Sequence, residues 1–306
     1  MLNTQLIILI LILTGFSLSK IGMITENSRT TLTNIVIYVV LPCNIFLSFQ
    51  YGISPEILLR SGIIVLISFG ISIMHIIMGK VFFFRFSPER KVVAQYATIV
   101  SNAGFMGLPI IEAVYGPLGL MYGSFFLIPL RIFMWTAGLS LFTKSSSMHK
   151  LKTLATHPCM WAVFLGLAYA FAPFSLPHFV TGAISALSVS TLALSMLVVG
   201  SILAGVDIKT VNDKDCFYYS FLRLIFIPTI FFIVLLLLRV DPVVKGVAVL
   251  AAAMPAGVIT ALLAEKYGKD SAFASQIVLV STAFSIITLP IIAEILPRLA
   301  SAFLQS

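Results

Sequence analysis

The sequence predicts an all-α membrane protein with ten transmembrane helices in two inverted five-helix repeats, the fourth and ninth helices being broken near their centres. Three observations lead there. Hydrophobic residues make up 59% of the 306-residue chain and charged residues only 10%, with a mean hydropathy of +1.09, against about 25% charged residues in ordinary soluble domains. The apolar residues gather in ten runs, most near the roughly 20 residues that a helix needs to cross the hydrocarbon core. Lysine and arginine concentrate in alternate loops, as they do when those loops face the cytoplasm.

The first run, 4–19, has neither a basic leader nor a small-residue cleavage site, so it reads as a span and not a signal peptide. Further spans are expected at 31–50, 60–84, 92–115, 118–142, 158–173, 180–204, 217–238, 243–266 and 271–296. Span 4 lies in a stretch without Asp, Glu, Lys or Arg between Lys91 and Glu112. Its centre is SNAGFMGLP, with Ser101, Asn102, Gly104, Gly107 and Pro109. Gly and Pro are tolerated at membrane depth where neighbours re-satisfy the freed backbone groups, and in transporters this happens at the substrate site. The uncharged interval between Lys152 and Asp207 is too long for one helix, and Pro173, Pro177 and His178 mark its turn. Span 9 carries Pro255 and Gly257 at its centre.

The loops after spans 1, 3, 5, 7 and 9 hold thirteen of the lysines and arginines, from Lys20 and Arg29 to Lys266 and Lys269. The opposite side holds Arg60, Arg239, Lys245 and Arg298, which places both termini outside the cytoplasm. The polar stretch 144–157 reads as a cytoplasmic linker between a first unit, 1–143, and a second, 158–306. An odd number of spans in each unit forces opposite orientations, and a matched pair of Gly/Pro-interrupted spans points to a binding site at their meeting place.

Several polar residues fall within this apolar frame. Arg131, in the middle of span 5, costs at least about 2.5 to 3.5 kcal/mol to insert, which an anionic ligand would offset. Asn102 can donate and accept at the break. Asn44 in span 2, Ser188, Thr191 and Ser195 in span 7, and Thr282, Ser285 and Thr288 in span 10 are candidates for other cavity walls or for helix packing. Arg223, near the cytoplasmic end of span 8, is expected to snorkel, and His75 to be a packed histidine. No carboxylate falls at a midplane, so a relay built on paired buried acids is not expected. Cys43, Cys159 and Cys216 are far apart and read as packing residues. Neither a metal site nor a cofactor motif is present, no nucleic-acid patch occurs, and the catalytic motifs of an intramembrane enzyme are missing.

The blocks SNAGFMGLPIIEAVYG and AAAMPAGVITALLAEKYGKDSAFASQIVLVSTAFSIITLPII resemble the auxin efflux carrier family, and the likeness covers essentially the whole chain. Bacterial members of that family are described as malate or malonate permeases. The resemblance implies a scaffold from spans 1, 2, 6 and 7, a transport part from spans 3–5 and 8–10, a crossing of spans 4 and 9, and a homodimer. It makes Asn102 the substrate-contacting asparagine and Pro255 the crossing proline. Plant members place a proline just before that asparagine, where this chain has Ser101, so the break here rests on Gly104, Gly107 and Pro109. The reading is a secondary carrier of small organic anions, with protons or Na⁺ as coupling ions. A sodium-coupled carrier of another solute on the same plan stays open as an alternative.

Overall fold

The computed structural model describes residues 2–50, 54–142, 158–172, 175–205 and 213–304; the expected linker lies outside them. The elements are α1 (Leu2–Lys20), α2 (Glu26–Ser48), α3 (Pro55–Phe82), α4 (Pro88–Ile99), α5 (Ala103–Phe142), α6 (Pro158–Ala170), α7 (His178–Ala204), α8 (Lys214–Leu237), α9 (Pro242–Ala252), α10 (Ile259–Lys266) and α11 (Ser271–Leu304). Six of them, α2, α3, α5, α7, α8 and α11, are long and apolar enough to cross a membrane. The described residues contain no strand beyond a single backbone bridge.

Local chemistry sets the helix ends. Thr25, Ser54 and Asp241 accept hydrogen bonds from first-turn amides of α2, α3 and α9, which satisfies donors a helix start leaves open. The Thr25 cap explains why α2 starts at Glu26 and not at 31. Three of the four wide π-turns among the described residues, Val36–Val40, Ala103–Gly107 and Leu222–Phe226, each end two residues before a proline, Pro42, Pro109 and Pro228; the fourth, Met134–Gly138, does not. Proline lacks the amide that would close the preceding turn and its ring pushes the carbonyl one turn back, so the helix widens there. Within α5, Gly116 sits at φ 68°, ψ −166°, and divides the helix into segments 103–115 and 117–142.

α1 packs along α7, and the C-terminal half of α2 packs on α6 and α7. α3 lies against α4 and the second segment of α5, while α9 packs on α5 and α8, and α11 on the start of α8. Between α1 and α7 the backbones touch: a Cβ at Gly15 would run into the Leu197 carbonyl, and one at Gly200 into the Ile12 carbonyl. Small residues allow this approach where no water drives helices together.

Two ion clusters tie helix starts together. Arg90 at the start of α4 reaches Asp213 and Asp215 (both 2.9 Å) and Asp270 (3.2 Å), just before and within the starts of α8 and α11. Arg60 near the start of α3 reaches Asp241, just before α9, at 2.9 Å.

Replacing Gly200 with Ala should lower the melting temperature in detergent, consistent with overpacking of about 1–3 kcal/mol. Gly182→Ala, where nothing lies within 4 Å of the added carbon, should leave it unchanged; differential scanning fluorimetry distinguishes the two.

Candidate functional site: a cavity at a backbone crossing

α4 stops at Ile99 and α5 starts at Ala103; α9 stops at Ala252 and α10 starts at Ile259. The extended residues between them meet as two antiparallel segments, with Ser101 opposite Ala256. The Asn102 amide donates to the Pro255 carbonyl (2.8 Å) and the Gly257 amide to the Val100 carbonyl (3.1 Å). The Ala256 amide donates to Ser281 Oγ on α11 at 3.1 Å. The Asn102 carbonyl accepts from both Met106 and Gly107 at 3.1 Å, which starts the next helix. Gly107 packs against Met254, where a Cβ would come within 3.0 Å of the Met254 side chain.

Four helix ends therefore point at one place. The two C-terminal ends carry partial negative charge, and Arg223 lies against both. Its Nη1 donates to the Thr98 carbonyl (2.8 Å) in the last turn of α4, and its Nε to the Met254 carbonyl (2.9 Å) just past α9. His75 Nε2 is 3.4 Å from Nη1. Arg223 is 0% exposed, so it does not snorkel as its position in the sequence suggests. The π-turn of α8 carries it inward, and the open carbonyls hold it there. His75 is a packed histidine beside Phe231.

The two N-terminal ends instead border a cavity of about 610 Å³. Ser101, Asn102, Gly104 and Phe105 line it from the first crossing segment, and Gly257, Val258 and Ile259 from the second. Arg131, Leu127 and Met134 of α5 form the adjoining wall. Facing them are Ile37 and Leu41 of α2, Cys159 of α6, and Val198 and Ile202 of α7. At one end Glu26, Arg29 and Gly205 border it.

Arg131 is 6% exposed, and its Nη1 has no hydrogen-bond partner among the described residues. The Cys159 thiol, which donates weakly to the Ile37 carbonyl at 3.8 Å, lies beside the Arg131 guanidinium. No carboxylate pairs with Arg131 among the described residues. The Asn102 side chain also makes no hydrogen bond there, although its backbone is fully engaged. The cavity thus presents a cation and an amide to whatever enters it, beside two helix N-termini that favour negative charge.

Asn102, Arg131, Ser101, Gly104 and Gly257 come together on this cavity, and Pro255 accepts the backbone bond behind it. Pro109 is buried in α5, just after the π-turn Ala103–Gly107. Asn44, Ser195 and Thr282 stand apart from the lining. Asn44 binds Glu112 and Ser188, Ser195 is fully buried, and Thr282 donates to its own helix at Val278. Cys159 joins the site as a residue the sequence reading took for packing; its spacing from Arg131 carries no signal of the contact.

An apolar helical frame that leaves a buried cation, without an ion-pair partner among the described residues, facing a cavity at a backbone crossing belongs to a membrane transporter. The chain matches the membrane transport protein family, of the auxin efflux carrier type, over residues 1–153 and 146–293, and it belongs to that family. It is similar to an uncharacterized transporter of Methanocaldococcus jannaschii, 26% identical over 305 residues, covering 94% of this chain and 96% of the relative. It is also similar to an uncharacterized transporter of Methanothermobacter thermautotrophicus, 26% identical over 302 residues, covering 96% and 98%.

The two buried arginines should separate experimentally. Arg223→Gln strips charged donors from two buried carbonyls and should destabilise the purified protein by about 2–4 kcal/mol. Arg131→Gln, which breaks no bond to the backbone, should leave the thermal midpoint close to that of the parent.

Proposed function

We propose that the protein is a secondary active carrier of small organic anions, mono- or dicarboxylates, working by alternating access. The observation that carries this reading is Arg131, a guanidinium that lines the cavity with an unpaired nitrogen and, among the described residues, no carboxylate bonded to it. A carboxylate would take two parallel hydrogen bonds from such a fork, and Asn102 would bind its far side or a hydroxyl.

The architecture proposed is ten spans in two inverted repeats. α4 with segment 103–115 serves as span 4, and α9 with α10 as span 9, the crossing lying on the pseudo-two-fold axis. The pairing of the segments supports this, since the bond from residue 102 to 255 and that from 257 to 100 exchange under a two-fold through Ser101 and Ala256. The ion clusters support it too: the start of span 4 meets that of span 8, and the start of span 9 meets that of span 3. The scaffold is then α1, α2, α6 and α7, the remaining helices moving against it. By the lysine and arginine count, the end of the cavity at Glu26 and Arg29 faces the cytoplasm, so this conformation is open inward. A potential negative inside contributes about 2.3 kcal/mol per charge per 100 mV towards export of an anion, and uptake needs a coupling ion.

Purified carrier in proteoliposomes, offered radiolabelled mono- and dicarboxylates together with neutral and cationic solutes, tests the reading. Carboxylate flux is expected, and Arg131→Gln or Asn102→Ala should reduce it about 10- to 100-fold, the equivalent of one or two charge-assisted hydrogen bonds. Movement of neutral or cationic solutes alone would overturn it.

A further inference from the structure

The π-turn Ala103–Gly107 that opens α5 holds two glycines, and packing accounts for only one of them. A Cβ at Gly107 would come within 3.0 Å of the Met254 side chain, so this glycine lets the two crossing segments close up. A Cβ at Gly104 would meet nothing nearer than 3.6 Å, which is ordinary van der Waals contact, and its φ lies outside the left-handed region that favours glycine. Neither space nor backbone geometry requires a glycine at 104, where alanine would hold a helical turn better. What a side chain there would meet is the cation. The two atoms at 3.6 Å from the added carbon are Arg131 Nη2 and Leu127 Cδ1. From Ser101 to Ile111 only Gly104 and Phe105 are not buried, and both line the cavity. With no side chain at 104, backbone alone stands beside Nη2 on this wall, and Nη1 has no hydrogen-bond partner among the described residues. A guanidinium carries five N–H donors in one plane, more than the neighbouring Cys159 sulfur can occupy.

We infer that Gly104 is a specificity-determining residue: it keeps the Nη2 edge of Arg131 free for the second oxygen of a carboxylate. The inference rests on the anion-carrier reading and deepens it. A carboxylate presents two equivalent oxygens, spaced to accept one N–H from each terminal nitrogen of the fork. A primary amide of the same shape presents one oxygen and an NH₂ group, which is itself a donor and cannot accept from the second nitrogen. An open Nη2 edge therefore separates the acid from the amide by a hydrogen bond, over and above the attraction of opposite charges. A methyl group at 104 would lie beside Nη2 at contact distance and exclude the second oxygen. Acid and amide would then each keep a single bond, at Nη1.

Equilibrium binding to the whole purified protein tests this, with acetate, benzoate, malonate and succinate each measured beside its amide. The parent protein should prefer every acid that it binds over the corresponding amide. Gly104→Ala should shrink that preference about 10-fold, the worth of one charge-assisted hydrogen bond, with a thermal midpoint equal to or above that of the parent. Gly182→Ala, an alanine placed in open space away from the cavity, should leave the preference unchanged. An undiminished preference in Gly104→Ala, even with both ligands weakened, shows that the glycine has no part in selecting the second oxygen and overturns the inference. A lowered thermal midpoint also overturns it, by making Gly104 a packing residue. Both of these results leave the anion reading standing. A parent protein that binds none of the four acids, or binds acid and amide alike, removes the anion reading and this inference with it.

Discussion

Backbone hydrogen bonding at the centre of the molecule is the constraint on which the rest depends. In a bilayer core no water satisfies an open amide or carbonyl, and each such group costs several kcal/mol. In the proposed architecture, two interrupted helices lie at that depth only because their loose ends satisfy each other. The pairing of Val100, Ser101 and Asn102 with Pro255, Ala256 and Gly257 does this for the amides of Asn102 and Gly257, and Ser281 takes the amide of Ala256. Arg223 takes carbonyls from both C-terminal ends.

Once the ends are paired, the distribution of charge follows. Arg223 is absorbed by the two C-terminal ends and belongs to the framework. Arg131 has no such carbonyls to hold it and is left with a thiol and the cavity. Two arginines with similar sequence surroundings therefore differ: one is tied into the framework, and the other is the one proposed to meet a solute. The cavity borders the crossing, while Asn44, outside its lining, joins α2 to α5 and α7 through Glu112 and Ser188.

Much of this was legible in the sequence where the signal is local. Apolar run lengths mark the helices, Gly and Pro mark the interruptions, and a lone arginine in FFLIPLRIFMW announces itself by its cost. What could not be read depends on contacts between residues distant in the chain. Arg223 looks like a snorkelling side chain because its partners, Thr98 and Met254, come near it only through the crossing. Cys159 looks like filler until α6 is placed beside α5. Asn44 reads from the sequence as a candidate for the cavity wall, and its polar side chain instead joins Glu112 and Ser188. The early start of α2 was visible in principle, since Thr25 before Glu26 is a capping residue.

In the function proposed, everything turns on Arg131 offering its charge to a solute carboxylate. Equilibrium binding of a transported carboxylate and of its neutral amide analogue to the purified protein tests this most directly, with Arg131→Gln measured beside it at an unchanged thermal midpoint. The carboxylate should bind, with an affinity that falls about 10- to 100-fold in the variant, and the amide should bind poorly to both. Equal affinity for acid and amide, or binding indifferent to Arg131→Gln, would contradict it.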